Sequence, residues 1–357
     1  MDTPIRHKSR GTSLNPQSRF DHQRTEAFDD GWEREADDDI PALKTTVAID
    51  ATRSIIARND SPDVGFDRSI NPYRGCEHGC VYCFARPTHA YLGLSPGLDF
   101  ETKLFAKPDA AALLAKELRH PRYRPAVLAI GTNTDPYQPI ERERRIMRQC
   151  LEVLAEFNHP VSIVTKSHLI TRDIDILGPM ARKGLASAAI SVTTLDREFS
   201  RKLEPRTATP ERRLDAIRQL ARAGIPTAVL AAPMIPALND KELEAILEAA
   251  AQAGAVNGAY ILLRLPHEVK DLFAQWLADH FPQRAEHVLS VLRQCRDGQL
   301  YRSDFATRQS GTGIFAQLMA RRFAVAARRL GLDKPRPRLR TDLFAPPPQR
   351  GDQLILL

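Results

Sequence analysis

Residues 126–165 open with a short apolar run, Ala126-Val127-Leu128-Ala129-Ile130. A polar loop beginning Gly131-Thr132-Asn133-Thr134-Asp135 follows. Then come the segment Glu141 to Phe157 and a second apolar run, Val161-Ser162-Ile163-Val164-Thr165. The two runs are short and rich in branched aliphatic side chains, which suits buried strands. Between them Ile146, Cys150, Val153 and Leu154 recur at helical spacing on one face, so Glu141 to Phe157 reads as one amphipathic helix. Strand, helix and strand in this order make a βαβ unit and call for a parallel sheet.

The same alternation extends outward in both directions. Further strand-like runs occur at Ala188–Val192, Thr227–Ala231 and Ala259–Leu263. Helical segments fall at Pro108 to Arg119, Thr171 to Arg182, Pro210 to Ala223 and Lys241 to Ala253. Thr209 with Pro210 marks one helix start and Gly224 its end, while Asn239 or Asp240 is placed to cap the next helix before Gly254. With a first strand just before Cys76, the count is six βα units. Six are too few for a closed eight-unit barrel but suit an α/β fold of the partial (β/α)6 TIM-like barrel type. An open doubly wound sheet is the alternative. Either arrangement places chemistry in the loops after the C-terminal ends of the strands.

The flanks differ from this centre. Residues 1–45 are polar, mixed in charge and almost without apolar periodicity, and are expected to form a disordered charged tail. Residues 46–268 are expected to form the barrel. Residues 269–333, with helices near Val269–Asp279, Gln283–Arg296 and Ile314–Leu330, read as a helical C-terminal extension. Residues 334–357, rich in Pro and Arg, read as a tail lying extended over the surface.

Composition bounds the function. The 357 residues are 43% hydrophobic and 27% charged with a net charge of +7, which excludes collagen-like, coiled-coil and wholly disordered classes. The charge is uneven. Residues 25–39 hold eight acids against Arg34 alone, while residues 281–357 hold 14 basic and six acidic side chains. The basic third is suited either to a phosphate backbone or to a solvated helical surface. The N-terminus lacks an apolar targeting segment, and the longest apolar stretch, Ile225 to Leu238, contains three prolines. It is too short to span a membrane, so no membrane association and a cytoplasmic location with reduced thiols are expected.

Three of the five cysteines are grouped in Arg74-Gly75-Cys76-Glu77-His78-Gly79-Cys80-Val81-Tyr82-Cys83-Phe84. The spacing is C-x3-C-x2-C. Three thiolates on one loop can share one soft metal centre, and Gly75 and Gly79 permit a tight backbone. A structural zinc site and an ordinary four-iron cluster each want four protein ligands. Three thiolates leave one iron of a four-iron cluster open to a ligand, and an open position is what makes a metal site catalytic. Zinc completed by His78, His89 or a distant cysteine is the competing reading. Tyr82 and Phe84 flank Cys83 and are placed to cover an adenine ring. Cys150 and Cys295 read as core thiols, and His78, His89 and His168 as surface or hydrogen-bonded residues rather than ligands.

This loop resembles the signature of the radical S-adenosylmethionine (SAM) superfamily. The wider stretch from Arg68 to Arg86 is similar to its spore photoproduct lyase-like branch, often labelled DNA repair photolyases, and the likeness extends over roughly residues 46–330. It implies a four-iron, four-sulfur (4Fe-4S) cluster on Cys76, Cys80 and Cys83, with SAM on the open iron, and a reductant such as flavodoxin or ferredoxin. It implies SAM contacts from Thr132, Asn133 and Asp135 after the second strand, from Lys166 after the third, and from Ser191 at the end of the fourth. Thr193 and Thr194 are weaker candidates there. Arg206 is placed to hold a SAM carboxylate or a substrate phosphate, or else to pair with Glu204. After the fifth strand the Ala232–Pro236 backbone is placed to read adenine, with Met234 against the ring.

The resemblance makes DNA or another nucleic acid the expected substrate, with RNA, a peptide or a small metabolite as the alternative. A non-catalytic, zinc-stabilised nucleic-acid-binding module is the third reading. One departure stands out: where spore photoproduct lyase carries a hydrogen-donor cysteine, this chain has Thr132 and Asn133.

Overall fold

The computed structural model describes residues 10–21 and 43–348. Six parallel strands form its centre: Arg68–Ile70, Leu128–Ile130, Val161–Thr165, Ala186–Ser191, Thr227–Met234 and Asn257–Leu262. Each pairs with the next in chain order, and the antiparallel strand Ile56–Arg58 adds to the outer edge of the first. A doubly wound sheet would reverse its order part-way. This one never does, so it is a partial barrel. Ile70, Ile130, Ile163, Ile190, Val229 and Ala231 are fully buried in its core.

The strand loops carry the helices expected of them, with instructive differences. The segment 141–157 is two helices, Glu141–Arg144 and Ile146–Glu156, separated by Arg145 at φ 52°. The break follows from Glu141. Its carboxylate is buried, accepts the Tyr73 hydroxyl, and receives the amides of Met147 (3.0 Å) and Arg148 (3.3 Å). A carboxylate on those amides starts a new helix. Asn239 is likewise no side-chain cap: its amide group ties the Ile235 amide and the Thr193 and Pro233 carbonyls together beneath the barrel mouth.

Two features escape the sequence pattern. A separate small sheet joins Thr46–Ile49, Lys103–Ala106 and Tyr73–Arg74, and Tyr73–Arg74, not the first barrel strand, directly precedes the cysteine loop. Residues 10–21, expected within a disordered tail, pack on the body instead. Thr12 and Ser18 are buried, the Gly11 amide donates to Glu101 (2.9 Å), and Leu14 receives the Leu98 amide (3.2 Å). Polar bonds fix this segment, which is why hydrophobic periodicity missed it. The acidic run at 25–39 lies outside the described residues.

The C-terminal helices Val269–His280 and Ala285–Gln294 pack behind the cysteine loop. Val269, Phe273, Trp276 and Leu277 share one buried cluster with Val81 and Tyr82 of the cysteine loop. Helix Gly313–Leu330 packs on Leu243–Gln252 and the last strand. Before it, the Gln309 carbonyl receives the Leu262 amide (2.8 Å), while the Gln309 amide group donates to Asp63 (3.1 Å) and Arg308 pairs with Asp63 and Ser61. These contacts bridge the two edges of the open barrel.

Residues 334–348 run along the opposite end. Lys334 receives the Asn257 side chain, the Arg340 amide donates to Gly184 (2.9 Å), and the Ala345 amide donates to Phe157 (3.1 Å). Asn257, Gly184 and Phe157 all lie at or just before strand starts. No helix among the described residues is long and apolar enough to cross a membrane.

Candidate active site

The cysteine loop follows the first barrel strand and is held from behind. Gly75 and Gly79 have φ of 74° and 66°, a region that side chains disfavour. The Cys76 amide donates to Phe100 (2.9 Å) and the Val81 amide to Leu203 (3.2 Å). Arg86, fully buried, donates from Nε to the Cys80 carbonyl (2.9 Å) and from Nη1 to Gly97 (2.9 Å), and pairs with buried Glu101. All three cysteines of the loop line one cavity at the mouth of the barrel. Burial pushes the Cys76, Cys80 and Cys83 thiols up, so they are protonated until a cationic centre binds. Cys150 and Cys295 are fully buried and do not line this cavity.

Each further strand end contributes to the wall. Gly131, Asn133 and Asp135 come from the second, Thr165 and Lys166 from the third, and Ser191 from the fourth. Ala232 and Pro233 come from the fifth, and Ile261 to Arg264 from the sixth. Asp135 organises its neighbourhood. It accepts the Thr165 hydroxyl (2.6 Å) and the Lys166 and Tyr137 amides (2.8 and 2.9 Å), and faces the buried His78 ring at 3.3 Å. Burial alone would raise the Asp135 carboxyl. The His78 ring and these donors outweigh it and bring the value to about 2.

Lys166 Nζ donates to Ser191 (2.7 Å) and lies 3.6 Å from Glu204. Glu204 is 1% exposed. It pairs with buried Arg213, accepts the Tyr82 hydroxyl, and accepts Thr193 (2.7 Å). Burial acts to raise its carboxyl, but Arg213, Lys166 and the two hydroxyls bring it to about 2. Glu204 therefore carries the negative charge that ties Tyr82 to Lys166. Its position in Glu204-Pro205-Arg206 gave no sign of this, because its partners lie in four other parts of the fold.

Several expected contacts are absent. Thr132 does not line the cavity, although its neighbours Gly131 and Asn133 do. Arg206 also lies outside the lining and pairs with Glu77 (3.0 Å), not with Glu204. Met234 is fully buried in the barrel core and Thr194 binds Glu242. His78, expected to be a surface or hydrogen-bonded residue, is the latter: it is 3% exposed, faces Asp135 and forms part of the wall. Tyr82 and Phe84 both line it, Tyr82 buried and Phe84 47% exposed.

A family model described as the Radical SAM superfamily matches residues 70–250, which span the cysteine loop and most of the barrel. This chain is a member of the radical SAM superfamily. An uncharacterized protein of Mycobacterium tuberculosis strain H37Rv is 38% identical over 231 residues, 64% of this chain and 68% of that protein. An uncharacterized protein of Methanocaldococcus jannaschii is 27% identical over 173 residues, 48% of this chain and 62% of that one. Among solved structures, a spore photoproduct lyase variant with bound AdoMet and dinucleoside spore photoproduct superposes with a TM-score of 0.57. It is 16% identical, with 80% of this chain and 78% of that one covered. At that identity the likeness is one of fold.

Radical SAM proteins are enzymes that use a 4Fe-4S cluster and SAM, and the residues present fit both. Three soft thiols on one loop share a cavity with a lysine and a serine at adjacent strand ends. The family match sets the non-catalytic, zinc-stabilised binding module aside.

Proposed function

We propose that Cys76, Cys80 and Cys83 hold the cluster and that this cavity reductively cleaves SAM to act on a nucleic acid or one of its components. The observation that carries this is the single cavity joining the three thiols to Lys166 and Ser191. When bound, the cluster supplies the electron that cleaves the SAM sulfonium and yields a 5′-deoxyadenosyl radical. The chain's own groups bind and orient. Lys166, held by Ser191 and Glu204, takes the SAM carboxylate. Asn133 and Asp135 take its amino group, with Asp135 anionic and able to accept. Tyr82 lines the cavity beside the cysteines, and the helices Val269–His280 and Ala285–Gln294 back the loop that carries them. The electron comes from a small carrier such as flavodoxin or ferredoxin.

The substrate assignment rests on the fold likeness to spore photoproduct lyase. Two features separate this chain from a close mechanistic copy. Beyond the three cluster cysteines no thiol lines the cavity among the described residues. The basic C-terminal segment also gives no support. Arg293, Arg302, Arg308 and Arg322 are paired with acids, and exposed Arg336 and Arg338 lie on the segment that passes beneath the strand starts, away from the cavity. That placement favours a second reading, radical chemistry on a small metabolite or a peptide.

The test is anaerobic reconstitution, reduction with dithionite, and measurement of 5′-deoxyadenosine. Iron and sulfide near four each per chain and SAM-dependent 5′-deoxyadenosine are expected. A Cys80→Ala variant with unaltered 5′-deoxyadenosine formation would overturn the ligand assignment. Stimulation by DNA, RNA, peptides or nucleotides then ranks the substrate classes.

A further inference from the structure

The cavity contains two cationic side chains, and they are treated differently. Lys166 has Glu204 at 3.6 Å. Arg264, just beyond the sixth strand, pairs with no carboxylate among the described residues. Its Nε is buried without a hydrogen-bond partner. Its guanidinium lies over the Phe84 ring, 5.4 Å from the centroid. Buried donors are ordinarily satisfied, so a buried Nε on a cavity wall points to a missing acceptor.

The surroundings make that acceptor an anion. Behind Arg264 lies Arg296, 2% exposed, whose Nη1 and Nη2 are committed to the carbonyls of Thr307, Arg308, Leu262 and Leu263. Burial and then the charge of Arg264 depress the Arg296 guanidinium, so the two guanidinium groups sit within electrostatic reach of each other. Neither has a carboxylate partner among the described residues, so the described groups at this end of the cavity are positive. Lys166 and Arg264 stand on the third and sixth strands. The wall between them is apolar, including Leu230, Pro233, Ile261 and Leu263. Phe84 remains 47% exposed there, which leaves its ring accessible to a ligand in the cavity.

We propose that Arg264 is the substrate-anion station of this cavity: its fork of donors takes a two-oxygen anion, a phosphate or a carboxylate, on an aromatic or apolar body packed along Phe84. A guanidinium suits such an anion because two parallel N–H groups match two oxygens. This deepens the reading above and rests on it in one respect, that SAM occupies Lys166. One anion station then serves the cofactor and the other serves the substrate.

The test uses anaerobically prepared holoenzyme saturated with SAM. It is titrated with phenyl phosphate, benzoate and benzyl alcohol, which share a ring and differ in charge, with binding followed by calorimetry or ligand-observed NMR. One of the two anions is expected to bind about tenfold or more tighter than benzyl alcohol, the scale of one charge-assisted bond. Arg264→Gln abolishes that preference and Arg264→Lys, which keeps charge without the fork, retains part of it. Arg218→Gln, on the outer face of helix Pro210–Arg222 and paired with Asp215, leaves it intact. Phenyl phosphate as the preferred probe indicates a nucleotide-like substrate, and benzoate a carboxylate-bearing one. Equal binding of all three probes, or an unchanged preference in Arg264→Gln, overturns the proposal. So does a loss of SAM affinity in Arg264→Gln, which would assign the guanidinium to the cofactor. If the wild-type protein binds no SAM, the Lys166 reading fails separately, and the same titration without SAM still decides Arg264.

Discussion

Gly11 lies against Gly79 with no room for a side chain: a Cβ on Gly11 would fall 1.6 Å from the Gly79 carbonyl oxygen. The N-terminal segment thus backs the cysteine loop directly. Its Gly11 amide bonds Glu101, Glu101 pairs with Arg86, and Arg86 holds the Cys80 carbonyl. Gly11→Ala is expected to destabilise this packing by about 1–3 kcal/mol, the usual scale for overpacking, and to lower iron content after reconstitution. Gly65→Ala, where a Cβ meets nothing within 4 Å, should leave both unchanged. Equal iron content in the two variants would show that the segment does not support the loop.

Lys166 is expected to set SAM affinity. Lys166→Met removes a charge-assisted bond, worth about 1.5–3 kcal/mol, and should weaken SAM binding about tenfold or more while iron and sulfide content stay normal. Equilibrium dialysis of the reconstituted protein measures the first and metal analysis the second. Undiminished SAM binding would move the carboxylate site elsewhere in the cavity.

Glu204 is expected to matter for folding and for the site together. Glu204→Ala leaves Arg213, 1% exposed, as an uncompensated buried charge, at a cost of about 3–5 kcal/mol. It also frees Tyr82 and Lys166. Glu204→Gln keeps the shape and should cost less. A Glu204→Ala protein with wild-type thermal stability would remove Glu204 from its place at the centre of this network.

His159 gives the fold a pH dependence. Its ring is fully buried between the Tyr123 hydroxyl (2.7 Å) and the Pro160 carbonyl (3.0 Å). Burial, aided by Arg68 and opposed by the Pro160 bond, lowers it from 6.5 to about 4. A histidine depressed in the folded state contributes stability that is present above its unfolded value and lost as pH falls through 6.5 toward about 4. Urea midpoints should decline over that window by on the order of 2–3 kcal/mol of stability, and His159→Gln should flatten the decline. A wild-type profile level from pH 7 to 4.5 would contradict this.

Much of the barrel was legible because it is local. Val161–Thr165 and Ala186–Ser191 are short apolar runs separated by a helix, and that order by itself requires parallel pairing. One helix over Glu141 to Phe157 is the natural reading because Glu141–Arg145 holds no Gly or Pro to mark a stop, while the break at Arg145 is imposed by the Glu141 carboxylate and Tyr73, 68 positions earlier. The thiols, Lys166 and Ser191 were legible as residues at strand ends. Thr132 was misplaced by the same rule, since being in the right loop does not fix which side chains turn inward.

The sequence by itself determined the three-thiol loop, the six parallel units and the end of the barrel where chemistry belongs, because spacing along the chain carries all three. Tertiary structure alone decided which distant side chains meet. It put Phe84 beside Arg264, gave Glu204 to Arg213 instead of Arg206, and sent the arginine-rich C-terminal segment beneath the strand starts, away from the cavity. The physical reason is the curvature of the sheet: it brings loops separated by more than a hundred residues around one mouth, and no local periodicity records which of their side chains point into it.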